Sequence, residues 1–344
     1  MNFPASLDLN AVWFVLVGVL FTGYALLDGF DLGVGALHLF TKKDEHRRIM
    51  LNAIGPVWDG NEVWLVTGGG ALFAAFPVVY ATVFSGFYLA FVLLLVALIF
   101  RAVAIEFRSK QPMRWWRQMW DVGFAGGSVL ASFLIGVAIG NIAWGVPIDA
   151  HGEYAGTFLG LLHPYALLLG VTTVALFMMH GSIYAVMKTE GELHDMIRRW
   201  VNHTIIFFII CYAVTTMATL LYVPHMASVV RANPWLFSVA LLNMLAIANI
   251  PREIHHGRDF RAFLCSCLAM IALMTLFGLE MFPNLVRSNP APENSLTIHN
   301  AASSPRTLGI MLTIAVIGVP IVLAYTVSIY WIFRGKVKLD KMSY

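Results

Sequence analysis

Ala11-Val-Trp-Phe-Val-Leu-Val-Gly-Val-Leu-Phe-Thr-Gly-Tyr-Ala-Leu-Leu-Asp28-Gly-Phe-Asp31-Leu-Gly-Val-Gly-Ala-Leu-His-Leu39 is an almost unbroken apolar run. About 20 such residues cross the roughly 30 Å of hydrocarbon in a bilayer. Yet this run carries two acids, three positions apart and therefore on one helix face. Runs of similar character recur along the chain. We predict spans at 11–39, 57–76, 78–101, 120–143, 160–187, 200–223, 233–251, 260–284 and 308–333. Of the 344 residues, 59% are hydrophobic and only 12% charged, where a soluble domain carries about 25% charged. So few charges cannot wet the surface of a soluble globule this large. The expected fold is all-α and integral to the membrane, with nine transmembrane helices and no water-soluble domain. Asp8 precedes the first run, which lacks a basic flank and a small-residue cleavage site, so no removable signal peptide is expected.

Assigning the loops alternately to the two sides places all the Lys and Arg on one side except Arg231, Arg287 and Arg306. The favoured side takes Lys42 to Arg48, Arg101 to Arg117, Lys188 to Arg199, Arg252 to Arg261, and the tail from Arg334 to Lys341. Positive loops stay in the cytoplasm. The N-terminus is therefore expected outside and the C-terminus inside. Phe76-Pro77 would turn the second and third spans into a tight hairpin. The loop at about 285–307, rich in Asn, Pro and Ser, reads as a surface segment.

Six acids remain in or at the ends of apolar spans: Asp28, Asp31, Asp59, Glu62, Asp121 and Glu280. A charge at the bilayer centre costs about 2.5–3.5 kcal/mol on insertion scales. Asp59 and Glu62 repeat the spacing of Asp28 and Asp31. The first span runs inward with its acids late, and the second runs outward with its acids early. Four carboxyls thus converge in the cytoplasmic half of the membrane, and Asp121 also enters from the inside. Clustered carboxyls in a low dielectric titrate as a coupled set and can pass protons. The alternative is ion pairing to His38, Arg101 or a partner, or helix-end capping. For Glu280, near the outer end of its span, an interfacial or partner contact is expected.

Gly29, Gly33 and Gly35, and the set Gly68, Gly69 and Gly70, would let helices approach closely. A nucleotide loop is excluded, because the pattern follows no strand. Cys211, Cys265 and Cys267 read as small buried hydrophobes. His163, His180 and His203 lie in or beside spans but repeat at no spacing that would sandwich a haem, so structural hydrogen bonding is their expected duty. Trp115, Trp116, Trp120, Trp144 and Trp331 fit interfacial belts. Trp58 and Trp64 flank the second acid pair, where packing, or proximity to a partner's cofactor, is their expected place.

Several blocks resemble a known family. Leu27-Asp-Gly-Phe-Asp-Leu-Gly-Val-Gly35 resembles the first-helix signature of subunit II of cytochrome bd ubiquinol oxidases. Arg47-Arg-Ile-Met-Leu-Asn-Ala-Ile-Gly-Pro-Val-Trp-Asp-Gly-Asn-Glu-Val-Trp64 resembles its next motif, which continues into Gly68-Gly-Gly-Ala-Leu-Phe-Ala-Ala-Phe-Pro77. Phe84-Ser-Gly-Phe-Tyr88, Phe100-Arg-Ala-Val-Ala-Ile-Glu-Phe-Arg-Ser-Lys110 and Asn294-Ser-Leu-Thr-Ile298 follow in order. The resemblance implies two four-helix bundles, here 11–143 and 160–284, plus one peripheral helix at 308–333. It implies pairing with a subunit I that carries two b haems, haem d and the quinol-oxidising loop, and a complex that reduces dioxygen to water. Small single-helix subunits often join, and a structural quinone can occupy this subunit in some members. The family's proposed proton route falls by motif on Asp31 and Asp59, with Asp28 and Trp58 at adjacent positions. Asn61 and Arg101 lie in the same motifs and are expected, with Trp58, to pack toward the partner or its haem. Some members have Gln where this chain has Glu62, and a longer loop than the one at 223–233.

The expected function is thus a haem-free oxidase subunit that feeds protons to its partner. Two rivals remain. One is a structural scaffold for the haem subunit. The other is a proton-coupled transporter, which predicts inverted repeats and helices broken at the midplane; the sequence has no clear internal repeat, and its acids lie off the midplane.

Overall fold

The computed structural model describes residues 8–339. Lys341, counted above in the tail, lies outside that range. The chain is built from helices α1 (Leu9–Leu37), α2 (Asp44–Ile54), α3 (Trp58–Ala75), α4 (Pro77–Gly86), α5 (Tyr88–Phe107), α6 (Arg114–Trp144), α7 (Pro164–Lys188), α8 (Gly191–Tyr222), α9 (Ser228–Ala232), α10 (Phe237–His255), α11 (Asp259–Met281) and α12 (Pro305–Ile332). A small antiparallel pair, β1 (Asn284–Val286) and β2 (Leu296–Thr297), precedes α12.

Among the described residues, eight helices are long and apolar enough to cross a membrane: α1, α5, α6, α7, α8, α10, α11 and α12. The expected span at 57–76 is helical as α3, but Asp59, Asn61 and Glu62 in its opening turns keep it out of that group. The expected span at 78–101 is corrected. Pro77 opens the ten-residue α4, the backbone leaves the helix at Phe87, and the apolar crossing runs Tyr88–Lys110. A tertiary contact lies beside the break. The Tyr154 ring packs onto Gly86, where an added Cβ would lie 2.5 Å from it. Helices α6 and α8 begin at Arg114 and Gly191, six and nine residues before the hydropathy limits, because polar turns extend them beyond the apolar run.

Helix α1 sits at the centre, packed against α3, α6 and α7. Helix α7 also lies along α6 and α8, and α10 pairs with α11. The α1–α7 crossing depends on glycine at both sides. A Cβ on Gly33 would lie 1.8 Å from the Phe177 carbonyl oxygen, and one on Gly181 would lie 2.5 Å from the Gly33 backbone. Gly35 is pressed onto Ser128 of α6 in the same way. Gly69 and Gly70 face open space, so the second glycine set does not serve close packing within this chain, Gly68 against the Phe21 ring excepted.

The loops meet in two groups. In one, Asp44 accepts from Arg108 (2.7 Å) and Arg117 (3.1 Å), Lys43 pairs with Glu192, Arg198 pairs with Asp259 (2.9 Å), and the Val337 N–H donates to the Lys188 carbonyl (2.9 Å). In the other, the Trp13 indole donates to the Leu308 carbonyl (3.0 Å), Ser303 to Ala74 (2.6 Å), Thr82 to Gly152 (2.6 Å) and Asn294 to Ile148 (2.9 Å). The segment at 285–307 belongs to this second group and is folded, with its own Ile298 and Ala301 buried in the core. Also in this group, Asp149 accepts N–H groups from Glu153 (2.9 Å) and His151 (2.8 Å), which hold its carboxyl below the usual range.

Candidate functional site

From Asp28 to Leu37, every residue of α1 is buried, so both its acids point into protein. Arg101 reaches Asp28 from α5. Its guanidinium donates to Asp28 Oδ1 (2.7 Å) and to Glu62 Oε2 of α3 (3.1 Å). Arg101 and Asp28 are fully buried and the Glu62 side chain is 20% exposed. The Trp58 ring lies 6.0 Å from the same guanidinium, a cation–π distance. Beside this pair, Asn61 Nδ2 donates to Asp31 Oδ2 (2.8 Å) and to the Leu27 carbonyl (3.2 Å). Tyr330 of α12 closes the group, donating its hydroxyl hydrogen to Asn61 Oδ1 (2.8 Å). Asp28 Oδ2, Asp31 Oδ1 and Arg101 Nε have no protein partner.

Three expected acids, Asp28, Asp31 and Glu62, are therefore brought together, with Arg101 as the cation that the ion-pairing alternative anticipated. Asp59 is not among them; it is exposed on α3. Residues three apart on a helix differ by about 60° in direction. At the edge of a packed face, that turns Glu62 inward and Asp59 outward. Arg101 and Asn61 were expected to pack toward a partner. Both are buried inside this chain, where the acids hold them. Tyr330 had no signal at the sequence level, because it meets Asn61 across 269 positions and belongs to the most exposed helix.

A second polar centre lies on α6. Buried Asp121 accepts from His38 (2.6 Å), Arg47 (2.7 Å) and Arg108 (2.5 Å), so the expected link to His38 forms. This centre ties α1, α2 and α6 together beside the Asp44 pairs. Glu280 makes its hydrogen bonds within this chain. Its two oxygens accept the Val229 and Val230 N–H groups (both 2.9 Å) at the start of α9. The span histidines are engaged in hydrogen bonds. His180 lies between Ser266 Oγ (2.8 Å) and the Leu26 carbonyl (2.9 Å), His163 caps α7 at the Ala166 N–H (3.4 Å), and His203 Nδ1 lies 3.0 Å from the Arg199 carbonyl. Cys211 is buried, and Cys265 and Cys267 are partly so.

A bundle of apolar helices that shelters acids and an arginine at full burial defines a polytopic membrane protein with a polar centre in its interior. Bundles of this kind hold ionisable groups for a protonic, ionic or pairing duty. The profile described as "Cytochrome bd terminal oxidase subunit II" matches residues 9–333, and the chain belongs to that family. It is 38% identical to "Cytochrome bd-I ubiquinol oxidase subunit 2" of Escherichia coli (strain K12), with 96% of this chain and 95% of that protein covered. It is 38% identical to "Probable cytochrome oxidase subunit 2" of Haemophilus influenzae (94% and 93% covered), and 34% identical to "Cytochrome bd ubiquinol oxidase subunit 2" of Bacillus subtilis (96% and 97%). A chain of "The structure of bd oxidase from Geobacillus thermodenitrificans" superposes with a TM-score of 0.77 at 14% identity, covering 95% of this chain and 98% of that one, which shows a shared fold. The family makes this a subunit of a respiratory-chain terminal oxidase, an oxidoreductase, and its apolar helices and bacterial relatives indicate a bacterial inner membrane.

Proposed function

We propose that this chain is the haem-free half of a bd-type quinol:dioxygen oxidoreductase and carries protons from the cytoplasm toward its partner's oxygen site. The partner subunit I would hold two b haems and haem d, which take electrons from quinol to dioxygen. Two quinols supply four electrons, and one dioxygen consumes them with four protons to give two waters. Drawing those protons from the inner side makes the reaction charge-separating.

The observation that carries this proposal is the fully buried set of Asp28, Asp31 and Arg101 with Glu62 at its edge. Two carboxylates beside one arginine leave acidic oxygens without donors. The open Asp31 Oδ1 offers a transferred proton a place to bind. Asp31 is the carrier in this account; Asp28 and Glu62 set its field through Arg101. Exposed Asp59 extends the route to the surface of α3. That surface also exposes Gly60, Val63, Val66 and Phe73, a small and apolar strip suited to a close helix of the partner. An ionised Asp59 facing lipid tails would cost about 2.5–3.5 kcal/mol, which favours a covering subunit there.

The two loop groups support nine passes, with α3 as the ninth, the N-terminus outside and the C-terminus in the cytoplasm. The packing of α1, α3, α5 and α6, and of α7, α8, α10 and α11, with α12 flanking, supports two four-helix bundles and a peripheral helix. A single-helix accessory subunit and a structural quinone in this chain remain part of the proposal. The test is purification with the native partner, followed by an optical spectrum and quinol-dependent oxygen consumption. A haem spectrum and turnover that travel with the two-chain complex, and no Soret band from this chain alone, support it. A Soret band from the isolated chain, or quinol oxidation without the partner, contradicts it.

A further inference from the structure

Helix α12 is held at its two ends. Only Leu308 is buried along its length, and its carbonyl accepts the Trp13 indole N–H (3.0 Å). At the other end, Ile329 and Tyr330 pack onto the core. The following tail is strapped to α7 by Val337 N–H to Lys188 O (2.9 Å), Lys336 Nζ to Val186 O (3.1 Å), and a Lys188 bond to the Phe333 carbonyl. Between the ends, Pro320 removes one backbone donor and weakens the helix.

The inner anchor reaches the acid cluster. The Tyr330 ring meets Phe30 edge-on at 6.5 Å, one residue from Asp31, and the Tyr330 hydroxyl donates to Asn61 Oδ1 (2.8 Å). An amide side chain has a donor end and an acceptor end of nearly equal size. Here the donor end serves Asp31 and Leu27, and the acceptor end is occupied by the tyrosine. Removing the hydroxyl strands a buried acceptor. The amide then gains by turning its oxygen toward a protonated Asp31, which can donate. With the hydroxyl in place, the amide presents hydrogen to Asp31 and favours its charged form.

We propose that Tyr330 is a positioning residue that fixes the Asn61 amide, so that α12 sets how readily Asp31 takes and releases its proton. The proposal rests on Asp31 being a proton carrier. The test uses the assembled oxidase in membranes, with turnover measured across pH for wild type, Tyr330→Phe, Asn61→Leu, the double variant and Asp31→Asn. The loss of one network hydrogen bond predicts about a three- to tenfold fall in turnover for Tyr330→Phe. The pH of half-maximal turnover should also move about half a unit to one unit toward alkaline. Adding Tyr330→Phe to Asn61→Leu should do little more. Should the Asn61 variants not assemble, the infrared carbonyl band of Asp31, identified by its loss in Asp31→Asn, must shift in Tyr330→Phe. A wild-type pH profile in Tyr330→Phe while Asp31→Asn is impaired overturns this proposal alone, as does a full Tyr330→Phe effect without the Asn61 amide. Unimpaired turnover in Asp31→Asn overturns it together with the proton route beneath it.

Discussion

Replacing Arg101 by Met removes the single cation that both Asp28 and Glu62 bond, at 2.7 and 3.1 Å. Asp28 is fully buried, and Arg101 is its ion-pair partner. Removing one member of a buried ion pair costs about 3–5 kcal/mol, because the survivor is left charged and unsolvated. Glu62, 20% exposed, adds less, since solvent reaches it. The expected loss for Arg101→Met is therefore about 3–5 kcal/mol, against a typical folding margin of about 5–15 kcal/mol. The companion variant Arg101→Met/Asp28→Leu replaces both charges with apolar groups, a change that is often near neutral. The assay is the fraction of purified complex that stays assembled after heating in detergent, read by size-exclusion chromatography. The single variant should dissociate well before wild type, and the double variant should recover most of the difference. A single variant as robust as wild type, or a double variant no better than the single, would refute the claim that an uncompensated buried carboxylate is the source of the loss.

Other substitutions have equally definite outcomes. Gly33→Ala should block assembly or sharply lower thermal resistance, because the new Cβ meets the Phe177 carbonyl at 1.8 Å, whereas Gly69→Ala has nothing within 4 Å in this chain and should be tolerated unless a partner helix covers that face. Glu280→Gln keeps one acceptor oxygen for the two N–H groups of Val229 and Val230, so about 1–3 kcal/mol of local stability should be lost, seen as faster amide exchange at those residues. Asp121→Asn leaves His38, Arg47 and Arg108 without their shared anion, and limited proteolysis within residues 38–57 should accelerate several-fold while the rest of the chain stays protected.

The sequence made the crossing helices plain because twenty apolar residues have few other uses. It also showed that Asp28 and Asp31 need shelter, since a charged residue inside such a run has no solvent. Other features were hidden for physical reasons. Helix α2 is too polar for a hydropathy reading, yet it folds Met50, Leu51 and Ile54 against the core. The α4–α5 break lies where Tyr154, some seventy positions away, packs onto Gly86. Asp59 and Glu62 share a nominal face, but which acid turns inward depends on where the neighbouring helix ends, and spacing alone is silent on that. Tyr330 lies on a helix exposed along nearly its whole length, so its contact with Asn61 required three-dimensional placement.

The most direct test of the proton route replaces Asp31 by Asn in the intact oxidase reconstituted into vesicles. Quinol turnover and proton uptake from the side that corresponds to the cytoplasm are measured together, with the haem spectrum as a check on assembly. The account predicts that both rates fall by about tenfold or more while the spectrum is unchanged, the scale of losing a positioned proton-transfer group. Wild-type turnover and wild-type uptake in a fully assembled Asp31→Asn complex would contradict it and leave the buried acids a structural duty alone.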